Sequence, residues 1–302
     1  MKNKEAAERI SFIIAAILVV IGIVVLINNF HTDREKEIVC VGTVCIGSAD
    51  DNGWNQSHYE GIGEACEANS CLMYTRMNIP EEEGRLKRAV AELVDLGCSC
   101  IFLTSYGYGE YLNSIAKQYP KVAFYCISGE KEASNCTTYF ARMYQVRYLS
   151  GIVAGSSTKS GVLGYVTAMP ISETIRSVNA YALGARKANP SAKVLVAYTG
   201  SWDDKDAEEQ AVRDLKEAGA DVITYHEDRP YAIDLADEMG LFTTGYDYVS
   251  HAYSDRLLTA AVINWDVLYT RILQDYLSGR ANFSNDYWLG LSEGAVSLYP
   301  YS

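Results

Sequence analysis

From residue 38 to the C-terminus, short apolar runs alternate with stretches whose apolar positions recur at helical spacing. The runs at 38–46, 100–104, 122–127, 161–166, 194–198, 222–225 and 241–246 predict strands, and the periodic stretches at 57–68, 81–96, 110–118, 145–156, 173–187, 204–218, 230–239 and 265–277 predict helices. Strand and helix in regular alternation is the rhythm of a parallel α/β fold. Several predicted helices run into glycine, the residue that accepts the left-handed geometry of a helix C-cap. Asp95-Leu96-Gly97 before Cys98 and Glu217-Ala218-Gly219 before Ala220 place helix, glycine and strand at matching points of two halves. Open parallel sheets bind ligands beyond the carboxyl ends of their strands. Two such sheets facing each other predict two Rossmann-like lobes with a cleft between them.

The N-terminus has a different pattern. Residues 10–27 are apolar except for Ser11 and Gly22 and follow Lys2, Lys4 and Arg9, a stretch about long enough to span a bilayer. The apolar region of a cleavable signal is shorter, roughly 7 to 15 residues, and ends in small residues; Leu26-Ile27-Asn28-Asn29-Phe30-His31 offers no such site. The expectation is an uncleaved signal anchor over residues 1–31, forming one N-terminal transmembrane helix, and then a linker over 32–37. A first lobe over 38–155 with part of 250–280 and a second over 156–249 with part of 280–302 would follow. Counting Lys and Arg on either side of the span places the large C-terminal part outside the cytoplasm in a cell membrane.

Composition narrows the function. With 26 basic and 38 acidic residues the formal charge is −12, which repels a phosphate backbone and excludes nucleic acid as a partner. The eight cysteines, all at or before Cys136, form no Cys-x-x-Cys pair and no Cys/His ligand spacing, so no metal site is expected. Cys66 and Cys71 are the candidates for a disulfide in an oxidising compartment. No phosphate-binding or nucleophile-elbow motif follows a strand, and no cofactor is implied. Asp50-Asp51 and Asp203-Asp204 are neighbours whose carboxyls diverge along the chain, unsuited to paired acid/base work. The chain reads as a binding protein rather than an enzyme.

Several segments are more specific. Asp51-Asn52-Gly53-Trp54-Asn55-Gln56, Tyr198-Thr199-Gly200-Ser201-Trp202-Asp203-Asp204 and Gly219-Ala220-Asp221-Val222-Ile223 occur in this order with Pro170-Ile171-Ser172-Glu173-Thr174-Ile175-Arg176, Asn179-Ala180-Tyr181, Asn264-Trp265 and Tyr287-Trp288-Leu289-Gly290. In these the chain, over nearly all of 38–300, resembles the Basic Membrane Protein family of substrate-binding proteins, extracytoplasmic receptors of purine-related ABC importers. It is most similar to the branch that binds nucleobases, including adenine. The resemblance implies a type I periplasmic-binding-protein fold, a purine nucleobase or nucleoside held between the lobes, and an ABC permease and ATPase as partners. The chain departs from that branch at Tyr225-His226-Glu227-Asp228-Arg229-Pro230 and at Trp265-Asp266-Val267-Leu268-Tyr269, and it has no lysine in 259–265, where the nucleoside-binding branch carries one. The anchor in place of a lipid attachment leaves a second role open, a tethered sensor or regulator driven by the same closure.

Against that frame the ligand candidates are Trp54, Asn55, Tyr106, Gly107, Asn179, Trp202, His226, Asp247 and Trp265. Trp54 and Trp202 follow predicted strands inside polar loops, one in each half, and two indoles can hold a flat heteroaromatic ring by stacking. Asn55, Asn179 and Asp247 offer the donors and acceptors that a base edge needs; Asn55 would serve equally as a helix cap and Asp247 as a strand terminator. His226 either meets a ligand or satisfies a loop carbonyl. Tyr106 is either a contact or a surface tyrosine, Gly107 permits close backbone approach, and Trp265 divides between core and pocket.

Overall fold

The structure, a computed structural model, describes residues 17–23, 38–129, 131–249 and 254–299. The chain divides into two compact units, Met1–Ile38 and Val39–Ser302. In the first, residues 17–23 are helical, and the rest of the apolar stretch at 10–27 lies outside the described residues. Among the described residues no helix is long and apolar enough to cross a membrane.

The second unit holds two six-stranded sheets. One contains β1 (Cys40–Val44), β2 (Leu72–Arg76), β3 (Cys98–Leu103), β4 (Ala123–Cys126), β5 (Cys136–Ala141) and β11 (Tyr287–Leu289), in the order β11-β5-β4-β3-β1-β2. All its pairs are parallel. The other contains β6 (Val162–Thr167), β7 (Lys193–Tyr198), β8 (Val222–His226), β9 (Phe242–Asp247), β10 (Leu257–Ile263) and β12 (Val296–Leu298), in the order β12-β10-β9-β8-β6-β7. Here only β12 runs antiparallel, against β10. The inner strands β4 and β8 are buried at every position, as covered parallel sheets require; β4 is accordingly a continuous apolar run, while β8 carries Thr224 and His226 among apolar residues. Strands β2, β5, β10, β11 and β12 lie outside the predicted runs. Edge position leaves β2 half exposed with Thr75 and Arg76 in it; Thr137, Thr138 and Thr259 interrupt β5 and β10; β11 and β12 have three residues each.

Eight helices cover the sheets: α1 (Trp54–Ala68), α2 (Glu83–Asp95), α3 (Leu112–Gln118), α4 (Met143–Ser157), α5 (Ser172–Ala188), α6 (Lys205–Glu217), α7 (Tyr231–Glu238) and α8 (Trp265–Leu277). Each overlaps a predicted helix, because each carries an apolar stripe at helical spacing. In α2 that stripe is Leu86, Ala89, Val90 and Leu93, and in α6 it is Glu208, Ala211, Val212 and Leu215. Both helices lead to a glycine of positive φ, Gly97 at 86° and Gly219 at 96°. The shared register assigns Glu208 the core position that Leu86 holds in the other half.

Helix α4 packs against α5, β10 and β12, and α8 packs against α1. The chain therefore passes between the two sheets near residue 142, returns between β10 and α8, and crosses again between β11 and β12. Close helix contact explains the first position: a Cβ on Gly151 would stand 2.2 Å from Tyr181 O, and one on Gly155 2.4 Å from Ala185 O, both on α5. One apolar cluster includes Val41, Phe102, Val166, Ile223, Trp265 and Leu268, and so draws on both sheets; two smaller clusters fill the outer layers. All eight cysteines are free thiols, Cys66 and Cys71 among them, and burial pushes the Cys66 thiol up to about 12.

Candidate functional site

The loop after β1 is organised by one carboxylate. Asp51, almost fully buried, accepts from the backbone N–H groups of Gly53, Asn55 and Gln56 at 2.9–3.0 Å and from Asn55 Nδ2 at 2.8 Å. These donors belong to the start of α1, where orphan N–H groups attract an acid, and the arrangement holds Trp54 in the first helical turn. The Trp54 indole donates to Thr104 O at 2.8 Å, beyond β3, and packs edge-on against Trp265 and in parallel with Phe140.

Trp202 follows β7 in the second lobe. Its carbonyl accepts from Asp228 N at 2.9 Å, and Asp228 O accepts from Trp54 N at 2.9 Å. The backbone of Asp228 thus joins the two tryptophans across the cleft. Gly53 closes this contact, since a Cβ there would lie 1.9 Å from Asp228 O. A second connection runs through Asp247 at the end of β9, which accepts from Ser57 Oγ at 2.6 Å and from Trp265 Nε1 at 2.9 Å.

Between the lobes lies about 420 Å³ of space, part of it open to solvent, lined by Trp54, Ser105, Tyr106 and Ile127 on one side and Glu173, Trp202, His226, Glu227, Asp228 and Tyr246 on the other. His226 packs on Tyr246 with ring centroids 4.0 Å apart. The buried Arg147 guanidinium lies 4.6 Å from the same tyrosine ring and donates to Tyr225 O at 2.6 Å and Thr224 Oγ1 at 3.1 Å. A groove continues from the cavity over Phe140 and Trp288. The guanidiniums of Arg142 and Arg176 lie 5.3 and 5.1 Å from the Trp288 ring.

The cavity wall is rich in carboxyl groups held away from their ordinary state. Burial, reinforced by Glu208, pushes Glu227 up to about 10, and burial pushes Glu208, beneath it, up to about 9. Burial, with Asp51 next in weight, also raises Asp228 well above the carboxylate range. Asp247 is raised by burial to about 7, against the pull of its bonds from Ser57 and Trp265. Burial lowers His226, opposed by Glu173. His226 Nδ1 and Glu227 Oε2 are buried without a hydrogen-bond partner.

Of the predicted ligand residues, Trp54, Tyr106, Trp202 and His226 line this cavity. Asn55 does not: its amide accepts from Gly47 N at 2.9 Å and donates to Asp51, all within its own loop. Gly107 N donates to Glu81 Oε1 at 2.5 Å beside the cavity. Asn179 lies exposed on α5, whose buried face is formed by Thr174, Ser177, Tyr181, Gly184 and Ala185. Asp247 and Trp265 meet each other at the contact between the lobes, and Trp265 is core. Glu173, Glu227, Asp228 and Tyr246 were not among the candidates. The signal for Glu227 and Asp228 was their place directly after a strand; Glu173 stands in the Pro170–Arg176 segment that carries the resemblance, and Tyr246 ends a predicted strand.

The two-lobed fold recurs in solved ABC transporter solute-binding proteins. A transcriptional activator of the comK gene from Bacillus halodurans superposes with a TM-score of 0.75 at 26% identity, covering 87% of this chain and 90% of that one. In sequence, the chain is 33% identical to a purine-binding protein of Brucella abortus over 88% of its length and 77% of the relative's. It is 31% identical to a putative ABC transporter glucose-binding protein of Haloferax volcanii, over 87% and 67%. The profile of the PnrA-like ABC transporter substrate-binding proteins matches residues 38–300. With two parallel-sheet lobes, a cavity between them and this match over most of its length, the chain belongs to the PnrA-like (Bmp) family of ABC transporter substrate-binding proteins.

Proposed function

We propose that this protein captures a purine nucleobase or nucleoside between its lobes outside the cytoplasm and presents it to the permease and ATPase of an ABC importer, without catalysing a reaction. The observation that carries the reading is the cavity itself, where an indole from each lobe, Trp54 and Trp202, shares walls with the unpartnered polar atoms of His226 and Glu227. Aromatic faces stack a flat base by roughly 1–3 kcal/mol each, and buried groups awaiting partners supply selectivity. The purine-binding relative, at 33% identity against 31% for the glucose-binding one, supports this choice. In this reading the residues after β1, β7 and β8 form the site, Asp247 and Trp265 hold the lobes together, and residues 10–27 anchor the protein in the membrane. The anchor and the likeness to a transcriptional activator favour a second role, a tethered sensor whose closure is read by a membrane partner.

A thermal-shift screen of the purified full-length chain tests the proposal. A ligand at 100 times its dissociation constant adds about 2.7 kcal/mol of stability, so purines should raise the melting temperature and glucose should not. A shift with glucose and silence with every purine would reject it.

A further inference from the structure

The outward face of α5 carries a charge unlike that of the rest of the chain. Between Glu132 and Asp203 the sequence has seven Lys and Arg residues and a single acid, Glu173, although the formal charge of the whole is −12. Glu173 turns toward the cavity, its Oε1 3.2 Å from His226 Nε2, and Arg147 is buried. On α5, residues 175, 176, 179, 183, 186 and 187 fall within about 120° of the helix surface, opposite the packed side formed by Thr174, Ser177, Tyr181, Gly184 and Ala185. All six are exposed, Ile175 at 41% and Leu183 at 60%, with Arg176, Asn179, Arg186 and Lys187 among them. Lys159 and Lys193 add two exposed cations at the far end of the helix, since Lys193 follows α5 by a short turn and pairs with Val162, three residues beyond Lys159. None of Lys159, Arg176, Arg186, Lys187 and Lys193 has an ion pair among the described residues, whereas Lys87, Lys117, Lys131 and Arg213 elsewhere do. Asp221, the acid beside Lys159, is occupied by the N–H groups of Lys159 and Ser160 at 2.7 and 2.9 Å. The helix dipole accounts for Arg186 and Lys187 in the last turn, but not for the other cations or for the missing acids.

We propose that this face of α5 lies on an anionic bilayer surface, with Lys159, Arg186, Lys187 and Lys193 against the lipid headgroups and Ile175 and Leu183 at their level. The inference rests on the anchoring of residues 10–27 in the reading above. Residues 28–37 reach at most about 35 Å, so the tether holds the domain within about one domain diameter of the bilayer. A domain whose cations are gathered on one face turns that face to an anionic surface and its acidic remainder away. Screening confines the attraction to about 10 Å; direct contact is needed, and exposed aliphatic side chains between the cations suit it, as on a helix lying in a membrane interface. The tether also decides between lipid and an acidic protein, because it raises the effective concentration of lipid alone. Helix α5 begins at the cleft, where Ser172, Glu173 and Arg176 line the groove, so seating it brings the rim of the cleft to the membrane, where a permease lies.

Amine labelling of the full-length chain in lipid nanodiscs, read by mass spectrometry, provides the test. In discs of phosphatidylcholine with phosphatidylglycerol, Lys159, Lys187 and Lys193 should react about fivefold or more slowly than in discs of phosphatidylcholine alone. Lys121 in the first lobe and Lys216 on α6, both exposed, should react equally in the two. Salt at about 1 M, where screening shortens to about 3 Å, should abolish the difference. Arg186→Glu combined with Lys187→Glu should return Lys159 and Lys193 to the rate of the neutral discs, at a melting temperature near the parent's because both positions are exposed. Equal labelling in the two kinds of disc would overturn the proposal, as would protection that survives salt or persists in the double variant. Protection that appears only when the disc also holds an importer would replace lipid by an acidic protein partner. If the double variant does not fold, the lipid and salt comparisons on the parent still decide. Failure of the chain to stay with either disc would overturn the anchor reading instead, and the same labelling with free phosphatidylglycerol vesicles would then decide the face by itself.

Discussion

Replacing Gly53 by alanine tests whether the contact through Asp228 is part of ligand capture. The added Cβ would stand 1.9 Å from Asp228 O, against an ordinary contact of at least 3.4 Å, so the loop and Asp228 must separate by about 1.5 Å (3.4 − 1.9). At that separation the 2.9 Å bond from Trp54 N to Asp228 O is lost. A net hydrogen bond contributes about 0.5–1.5 kcal/mol, and displacing Trp54 from Trp202 removes part of the stacking, so closure weakens by about 1–3 kcal/mol. Each 1.4 kcal/mol is about a factor of ten, and purine affinity should fall by about 5- to 140-fold. Trp54 belongs to the core cluster that draws on both sheets, so the melting temperature of the ligand-free protein should fall as well. Calorimetry would read the affinity, and small-angle scattering with and without purine would read the closure. Gly84→Ala, where a Cβ meets nothing within 4 Å, is the matched control and should bind as the parent does. Parental affinity in Gly53→Ala would refute the reasoning, because the lobes would then hold ligand without this contact.

The two tryptophans should behave differently. Trp54 is 9% exposed and bonded to Thr104 O, so Trp54→Ala should cost about 3–5 kcal/mol of stability in urea titration as well as binding, whereas half-buried Trp202→Ala should weaken binding by roughly 1–3 kcal/mol with the fold nearly unchanged; parental purine affinity in Trp202→Ala would refute the stacking. Glu208→Gln should change the pH dependence of stability. Burial raises Glu208 from 4.5 to about 9, so between these values the folded protein keeps a proton that the unfolded chain has released, and its stability falls as pH rises. Glutamine removes that loss, and urea midpoints should show the variant gaining on the parent by roughly 2–4 kcal/mol between pH 5 and pH 8.5; a difference independent of pH would show that Glu208 is ionised in the folded state.

Periodicity alone determined much of this protein. Stripes such as Leu86, Ala89, Val90 and Leu93 locate helices, and the matching positions of Gly97 and Gly219 reveal two halves of one design. The sequence drew attention to Trp54 and Trp202 because both follow strands beside polar residues; the structure lines the cavity with both and also makes Trp54 part of the core. The edge strand β2 escaped because it is half exposed, and the inner strand β5 because Thr137 and Thr138 interrupt its apolar run. Asn55 and Asn179 show the limit for polar residues: one amide is satisfied inside its own loop and the other faces away from the packed side of α5. Only the tertiary structure decided that Glu208 lies in a core stripe and that Glu227 is enclosed between lobes. In sequence both are ordinary surface acids, for a carboxyl group's charge and hydrogen-bonding sense depend on how much water remains around it and which neighbours share its protons. Those conditions arise when segments distant along the chain, here the ends of β1, β7 and β8, close over one cavity.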